Sequence, residues 1–316
     1  MPEARVELAR GCPRGILSPL RLPFRHSGLN SALELSDVPC GTGFPVFLRR
    51  YLAGMNCKLC QTTELPLFYT QGDRDQFRFF RCPTCRLVVY DTSTGVNQEK
   101  YILSAVDPTA DTRQNRGHRQ TYAFIRRHAA PPGRMLDLGC GDGTVLWLAK
   151  RDGWEVEGVE LFPEHASMVQ RTHGFPVTAA SVAEYRGTSG TWDVVVLTHV
   201  LEHLPDPVGG LVKIRDLLSP NGIGVLEFPN IDGLDAGFRR FLRRTGLHRH
   251  RYASTYKPGH VQEFCRESFA FACRMAGLDL VVWETYAVSP LKYALYRIVR
   301  IGNKARVLVR RSPSPA

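Results

Sequence analysis

The sequence predicts an α/β protein whose mostly parallel sheet is covered by helices on both faces, with a small cysteine-bearing module in front of it. From residue 134 onward, short apolar runs alternate with stretches of helical length, as in parallel strands joined by crossover helices. Upstream, four cysteines fall into two CxxC pairs. The predicted strands are Met135–Leu138, Glu155–Glu160, Pro176–Thr178, Asp193–Thr198, Ile223–Phe228 and Asp279–Glu284.

The chain divides into four predicted parts. Residues 1–54 are broken by prolines and lack periodicity, so we expect an unstructured leader, or a start assigned upstream of a true start at Met55. Residues 55–90 form the cysteine module, with short strands at Gln76–Arg81 and Leu87–Tyr90. Residues 91–133 form a helical linker, with its helix within Asp111–His128 and its end at Pro131–Gly133. Residues 134–316 form the large domain, with a basic insertion at 236–258.

Composition excludes several classes of protein. The 316 residues are 43% hydrophobic and 22% charged, and no apolar run reaches the roughly 18 residues of a membrane span. The first thirty residues hold no continuous apolar core of a secretory signal, so we expect a cytoplasmic protein. The net charge of +11 is concentrated, because residues 236–258 and 291–316 each carry seven basic residues and no acid.

The paired cysteines predict a structural zinc site. Cys57 and Cys60 are separated by 21 residues from Cys82 and Cys85, close to the spacing at which two CxxC turns close one tetrahedron of thiolates. Four thiolates leave no open position for water, so such an ion stabilises the fold and does no chemistry. A reduced or redox-active pair is the alternative, although a redox CxxC needs no second pair.

A glycine-rich turn follows the first strand of the large domain. Gly139, Gly141 and Gly143 lie between Leu138 and a helix beginning near Thr144, where absent side chains let a ligand approach the backbone. Asp137 ends the strand before this turn. Glu160 ends the next strand, where an acid is placed to bind ribose hydroxyls.

These residues belong to motifs that resemble the class I S-adenosylmethionine-dependent methyltransferases. The motifs are LDLGCGDG at Leu136–Gly143, GVEL at Gly158–Leu161 and DVVVLTHVLEHLPDP at Asp193–Pro207. Residues 221–230, the stretch Gly259–Phe264 and the helix Arg266–Gly277 also resemble the small-molecule and sugar methyltransferase subgroup. The resemblance implies a Rossmann-like seven-stranded sheet and an enzyme that uses S-adenosylmethionine. A zinc-ribbon-like module before such a domain resembles nucleotide-sugar C-methyltransferases.

The resemblance also implies cofactor-binding residues. Those expected to line the methionine part are Asp137, Gly139, Cys140 and Gly141. Glu160 is expected to accept hydrogen bonds from the ribose, and Leu161 to pack on the adenine. Ser181 and Val182 stand where many members have an acid that contacts the adenine amino group. Leu197, Thr198 and His199 are expected to face the cofactor across the crevice.

Three histidines are candidates for a general base. A hydroxyl acceptor needs a base with a pKa near neutrality, which favours histidine. The order of preference is His203, then His260, then His199, because the adjacent Glu202 is placed to fix the tautomer of His203 and raise its basicity. For each of the three, a packing or hydrogen-bonding role is the alternative.

The two basic segments admit two interpretations each. Residues 238–251 form either a cover over an anionic substrate, using Arg239, Arg240, Arg243 or Arg244, or a solvated helix. Residues 291–301 form a C-terminal basic helix that either rests on an anionic membrane or packs on the sheet before an antiparallel last strand at Lys304–Arg310.

The sequence therefore favours a methyltransferase of a small molecule or a glycan precursor, either a nucleotide sugar or a lipid-linked saccharide. One alternative is an RNA methyltransferase that uses the zinc ribbon and basic segments, although no aromatic-rich RNA motif is present. A second is a non-catalytic scaffold that keeps the cofactor fold. The intact LDLGCGDG motif with Glu160 argues against a scaffold. The acceptor atom and the oligomeric state are left open.

Overall fold

The structure, a computed structural model, describes residues 56–97, 106–245, 252–286 and 302–313. The leader at 1–54, part of the basic insertion and the proposed helix at 291–301 lie outside the described residues. The strands are β1 (Leu67–Gln71), β2 (Phe77–Arg81), β3 (Val88–Tyr90), β4 (Arg134–Leu138), β5 (Glu155–Glu160), β6 (Val177–Ala179), β7 (Trp192–Thr198), β8 (Leu218–Pro229), β9 (Gln262–Glu263), β10 (Leu278–Tyr286) and β11 (Lys304–Arg311). The helices are α1 (Arg113–Arg126), α2 (Thr144–Arg151), α3 (Pro163–His173), α4 (Pro207–Leu217), α5 (Leu234–Arg244) and α6 (Arg266–Ala276).

A seven-stranded sheet in the order β10-β11-β8-β7-β4-β5-β6 confirms the predicted α/β class and strand number. The five strands from β8 to β6 run parallel, whereas β11 pairs antiparallel with both β8 and β10. Buried parallel strands read as continuous apolar runs, and Val194–Leu197 in β7 are all 0% exposed. The short continuous apolar runs in the sequence therefore predicted the central strands of the sheet correctly.

The strand order opens a crevice at the carboxyl edge of the sheet. The chain runs from β4 to β5 on one side and β7 pairs with β4 on the other, so the strand order reverses at β4. Ligands of open α/β sheets bind at such a switch point, because the loops that leave its two neighbouring strands diverge there. The glycine turn after β4 and the segment after β7 both lie at this edge.

Helix α1 packs on the large domain, although it lies in the segment expected as a linker. Its buried face includes Phe124 and Ile125, which join the core beside Leu146 of α2. The hydroxyl of Thr121 donates to the buried carboxylate of Glu227 at 2.6 Å. The helix is therefore part of the large domain and contributes side chains to the crevice.

The cysteine module shares a sheet with the large domain. Its four strands lie in the order β1-β2-β3-β9, and β9 comes from the segment just before α6. Val88 and Val89 pair with Glu263 and Gln262. Arg81 reinforces the junction through an ion pair of 2.8 Å with Asp232. The module is consequently attached beside the sequence that carries His260.

No helix within the described ranges has the length and apolar character to cross a bilayer.

Candidate active site

Left-handed glycines shape the turn between β4 and α2. Gly139 and Gly143 have φ of 83° and 75°, which side-chain-bearing residues rarely adopt. A Cβ at Gly139 would lie 2.5 Å from Val200 Cγ2, and one at Gly143 would lie 2.6 Å from Val169 Cγ1. Both glycines are therefore required for backbone conformation and for close approach of neighbouring elements.

Buried acids surround this turn. Asp137 is 2% exposed, and no group in the described residues forms a hydrogen bond with its Oδ1 atom. Burial, together with the charges of Glu160 and Asp142, raises the pKa of Asp137 to about 7. The carboxylate of Glu160 accepts hydrogen bonds from the backbone N–H groups of Gly141 at 3.2 Å and Leu161 at 3.0 Å. A positively charged ligand would stabilise this acidic group.

Helix α1 adds two polar side chains that sequence reasoning missed. Gln114 Nε2 donates to Asp142 Oδ2 at 2.7 Å, and His118 Nδ1 lies 3.7 Å from Asp142 Oδ1. Burial lowers the pKa of His118 despite the nearby carboxylate. The two residues are four apart on the polar N-terminal half of the helix, and that spacing was the only sequence signal available.

The other predicted cofactor-binding residues differ in how far their side chains are exposed to solvent. Leu161 is 51% exposed at the end of β5, so its side chain is accessible to a planar ligand group. Ser181 donates its hydroxyl to Glu184 Oε2 at 2.7 Å, and Val182 beside it is buried. The side chain of Leu197 is completely buried, so its backbone is the part placed to contact a ligand, whereas Thr198 is partly exposed. Cys140 is buried, so only its backbone is placed to contact a ligand.

The imidazole ring of His199 lies between the side chains of Glu202 and Lys304. Its φ of 56° is uncommon for a residue with a side chain, and its backbone N–H donates to Glu227 O at 2.7 Å. Nδ1 lies 3.3 Å from Glu202 Oε1, and Nε2 lies 3.0 Å from Lys304 Nζ. Both ring nitrogens are thus engaged, so the arrangement favours a positioning role over proton transfer to an acceptor.

Lys304 and Glu227 reach this region from strands distant in sequence. Burial lowers the pKa of Lys304. Glu227 is 4% exposed and accepts from Arg306 Nε at 2.5 Å and from the hydroxyl of Tyr286. Although burial raises the pKa of Glu227, the charge of Arg306 and its other partners lower it overall. This buried network fixes β11 beside the segment that carries His199.

His203 and His260, two of the histidines predicted as candidates for a general base, lie next to each other. Their ring centroids are 5.0 Å apart, and the rings are nearly perpendicular. His203 Nδ1 donates to Gly259 O at 2.8 Å, which leaves the lone pair on Nε2. The tautomer is therefore set by this carbonyl, and Glu202, which was expected to set it, contacts His199 instead.

His203 and His260 differ in the direction in which their pKa values are shifted. Burial lowers the pKa of His203 below its ordinary value, despite the opposing charge of Glu202. Burial also acts on His260, but the carboxylate of Glu263, 3.9 Å from its Nδ1, and the charge of Glu202 raise its pKa overall. His203 is thus the better neutral base near pH 7, whereas His260 keeps its proton to higher pH.

The four module cysteines converge on one point. Cys57 Sγ lies 3.3 Å from Cys85 Sγ, and Cys60 Sγ lies 3.3 Å from Cys82 Sγ. All four sulfur atoms lie within 4.8 Å of one another. This set of four thiol donors fits a tetrahedral ion that prefers sulfur, as the sequence spacing predicted.

More than half of the chain matches a family of known proteins. A family described as "Methyltransferase domain" matches residues 111–282. The ubiquinone biosynthesis O-methyltransferase of Xanthomonas campestris pv. campestris (strain B100) is 33% identical over 177 residues, covering 51% of this chain and 72% of that protein. The enzyme of the same name from Aromatoleum aromaticum is 27% identical over 169 residues, covering 49% and 72%.

Solved methyltransferase structures are also similar. The 1,6-didemethyltoxoflavin-N1-methyltransferase of Burkholderia thailandensis, solved with 1,6-didemethyltoxoflavin and S-adenosylhomocysteine, has 23% identity and a TM-score of 0.46. That alignment covers 62% of this chain and 78% of the other.

Titration of the imidazoles tests the contrast between His203 and His260. NMR of the purified chain should give a midpoint below 6.5 for His203 and above 6.5 for His260, where 6.5 is the ordinary histidine value. Because the charge of His260 contributes to the low pKa of His203, His260→Gln should raise the His203 midpoint. Equal midpoints in the unaltered chain would contradict the assigned roles.

Proposed function

The chain belongs to this methyltransferase family, and we propose that it transfers the methyl group of S-adenosylmethionine to a hydroxyl oxygen of a small molecule or glycan precursor. A nucleotide sugar and a lipid-linked saccharide are the precursors we favour. The observation that carries the proposal is the acidic crevice formed by Asp137, Glu160 and the glycine turn. Relatives named O-methyltransferases support the oxygen acceptor.

The residues of the crevice fit S-adenosylmethionine. The unpaired Oδ1 of Asp137 is placed to accept hydrogen bonds from a cationic ligand, and Glu160 carries acceptor oxygens for ribose hydroxyls. The exposed Leu161 offers an apolar surface for the adenine. The close approach of Val200 at Gly139 leaves no room for a side chain in the turn beneath the ligand.

Alignment and proton removal are the tasks left to the protein. When bound, S-adenosylmethionine supplies a methyl group on a positively charged sulfur, which is a good leaving group. A hydroxyl is a poor nucleophile, so a neutral base near it accelerates the reaction. We assign proton acceptance to His203 Nε2, with His260 beside it to orient the acceptor. His199 holds Glu202 and Lys304 in place.

We also propose that Cys57, Cys60, Cys82 and Cys85 bind one structural zinc ion. Their convergence supports this assignment, and the pairing of β9 with β3 joins the cysteine module to the segment that carries His260. Gln262 strengthens the connection, because its Nε2 donates to Leu201 O and Leu204 O while its Oε1 accepts from Lys58. The module thereby supports the acceptor side of the site.

Calorimetry with S-adenosylmethionine tests the cofactor site. Asp137→Asn should weaken binding about 10- to 100-fold, because a hydrogen bond involving a charged group contributes roughly 1.5–3 kcal/mol. Gly139→Arg should abolish binding by filling the turn. Glu155→Gln is the matched control, since Glu155 is an exposed carboxylate at the opposite end of β5. Unchanged affinity in both crevice variants would contradict the proposed function.

Metal analysis tests the cysteine site. The unaltered chain should hold one zinc ion, and Cys82→Ser should lose it because three thiolates no longer close the tetrahedron. Cys273→Ala, at a buried thiol in α6, should keep the metal. S-adenosylmethionine affinity of Cys82→Ser should stay within about threefold, since Asp137 and Glu160 lie on other elements. Full zinc retention in Cys82→Ser would refute the site.

A further inference from the structure

Helix α5 exposes the apolar side chains that a surface helix ordinarily buries. Leu234, Phe238 and Phe241 are 56%, 61% and 59% exposed. They stand at positions i, i+4 and i+7, so they form one stripe along the helix. The described residues contain six large hydrophobic side chains with comparable exposure, and three of them lie in this stripe. The stripe is therefore a local concentration of apolar surface.

The other side of α5 is attached to the protein, which keeps the stripe outward. Arg240 is partly buried, and its guanidinium lies 5.0 Å from the ring centroid of Phe68 in β1. At the start of the helix, Ala236 N–H donates to Asn303 Oδ1 at 3.2 Å. The side of the helix that carries Arg240 thus faces the fold, and none of the described residues covers the apolar stripe.

The charge of the surrounding sequence defines that partner. Residues 236–258 contain seven basic residues and no acid. An exposed stripe of Phe and Leu within a segment this rich in Arg and Lys matches an anionic bilayer, whose acyl boundary takes the apolar groups and whose phosphates attract the cations. Nucleic acid would match the positive charge but offers no apolar layer for the aliphatic and aromatic stripe.

We propose that α5 docks this protein on an anionic lipid surface, with Leu234, Phe238 and Phe241 inserted at the acyl boundary. The position of the helix gives the contact a consequence for the site. It follows Pro229, the end of β8, and therefore begins at the carboxyl edge of the sheet, where the crevice opens. The contact would place the mouth of the crevice near the lipid headgroups.

Vesicle co-sedimentation of the full chain tests the proposal. The chain should bind vesicles of phosphatidylcholine mixed with phosphatidylglycerol, bind pure phosphatidylcholine more weakly, and lose binding as salt rises. The double variant Phe238→Ser/Phe241→Ser should bind the anionic vesicles at least about tenfold more weakly, because two exposed aromatic rings no longer insert. Unchanged S-adenosylmethionine affinity in this variant would show that it is folded.

A matched control removes equal numbers of exposed apolar side chains elsewhere. Met275 and Val281 are 48% and 51% exposed on α6 and β10, and Met275→Ser/Val281→Ser should bind vesicles like the unaltered chain. A Phe238→Trp variant should show a blue-shifted emission when anionic vesicles are added, which reports insertion directly.

Three results would overturn the proposal. The first is no binding of the unaltered chain to anionic vesicles, and the second is equal binding by the Phe238→Ser/Phe241→Ser variant. The third is a chain that self-associates through the stripe, seen as a dimer in sedimentation that the double variant converts to a monomer while vesicle binding is absent. Tight, salt-dependent RNA binding without vesicle binding would likewise reassign the basic segment.

Discussion

The buried carboxylate of Asp137 is the constraint on which the site depends. A carboxylate removed from water is costly unless a cation or several donors stabilise its charged form. Within the described residues, its neighbours Glu160 and Asp142 are also acidic. Their charges raise the pKa of Asp137, as burial does. The glycine turn keeps side chains out of the space above it, and α1 covers Asp142 through Gln114. A positively charged ligand beside Asp137 would therefore be stabilised by this acidic group.

His203 and His260 lie together on what we propose to be the acceptor side of the crevice. Gly259 O sets the tautomer of His203, and the pairing of β9 with β3 fixes the segment that carries His260. Gln262 joins the turn containing His203 to Lys58 in the cysteine module. Loss of the proposed zinc ion would consequently disturb the acceptor side more than the cofactor side.

Local patterns predicted the parts of the fold that depend on local sequence. Buried parallel strands are short apolar runs, so β4, β5 and β7 were found with bounds close to those observed. Lys304 and Glu227 escaped prediction because strand pairing brings them near His199. The antiparallel pairing of β11 with β8 positions Lys304, and the parallel pairing of β8 with β7 positions Glu227. Strand β9 has two residues and no periodicity, so its pairing with the cysteine module had no sequence signal. The outward orientation of the α5 stripe depends on contacts with Phe68 and Asn303, which no local pattern encodes.

Proton release on ligand binding tests the central claim most directly. With a pKa raised to about 7, Asp137 is partly protonated at neutral pH, and a bound positive charge would lower that pKa. Calorimetry at pH 7 in buffers of different ionisation enthalpy should show that S-adenosylmethionine releases protons when it binds. S-adenosylhomocysteine, which lacks the positive sulfur, should release less. Equal proton release by the unaltered chain and Asp137→Asn would contradict this account of the site.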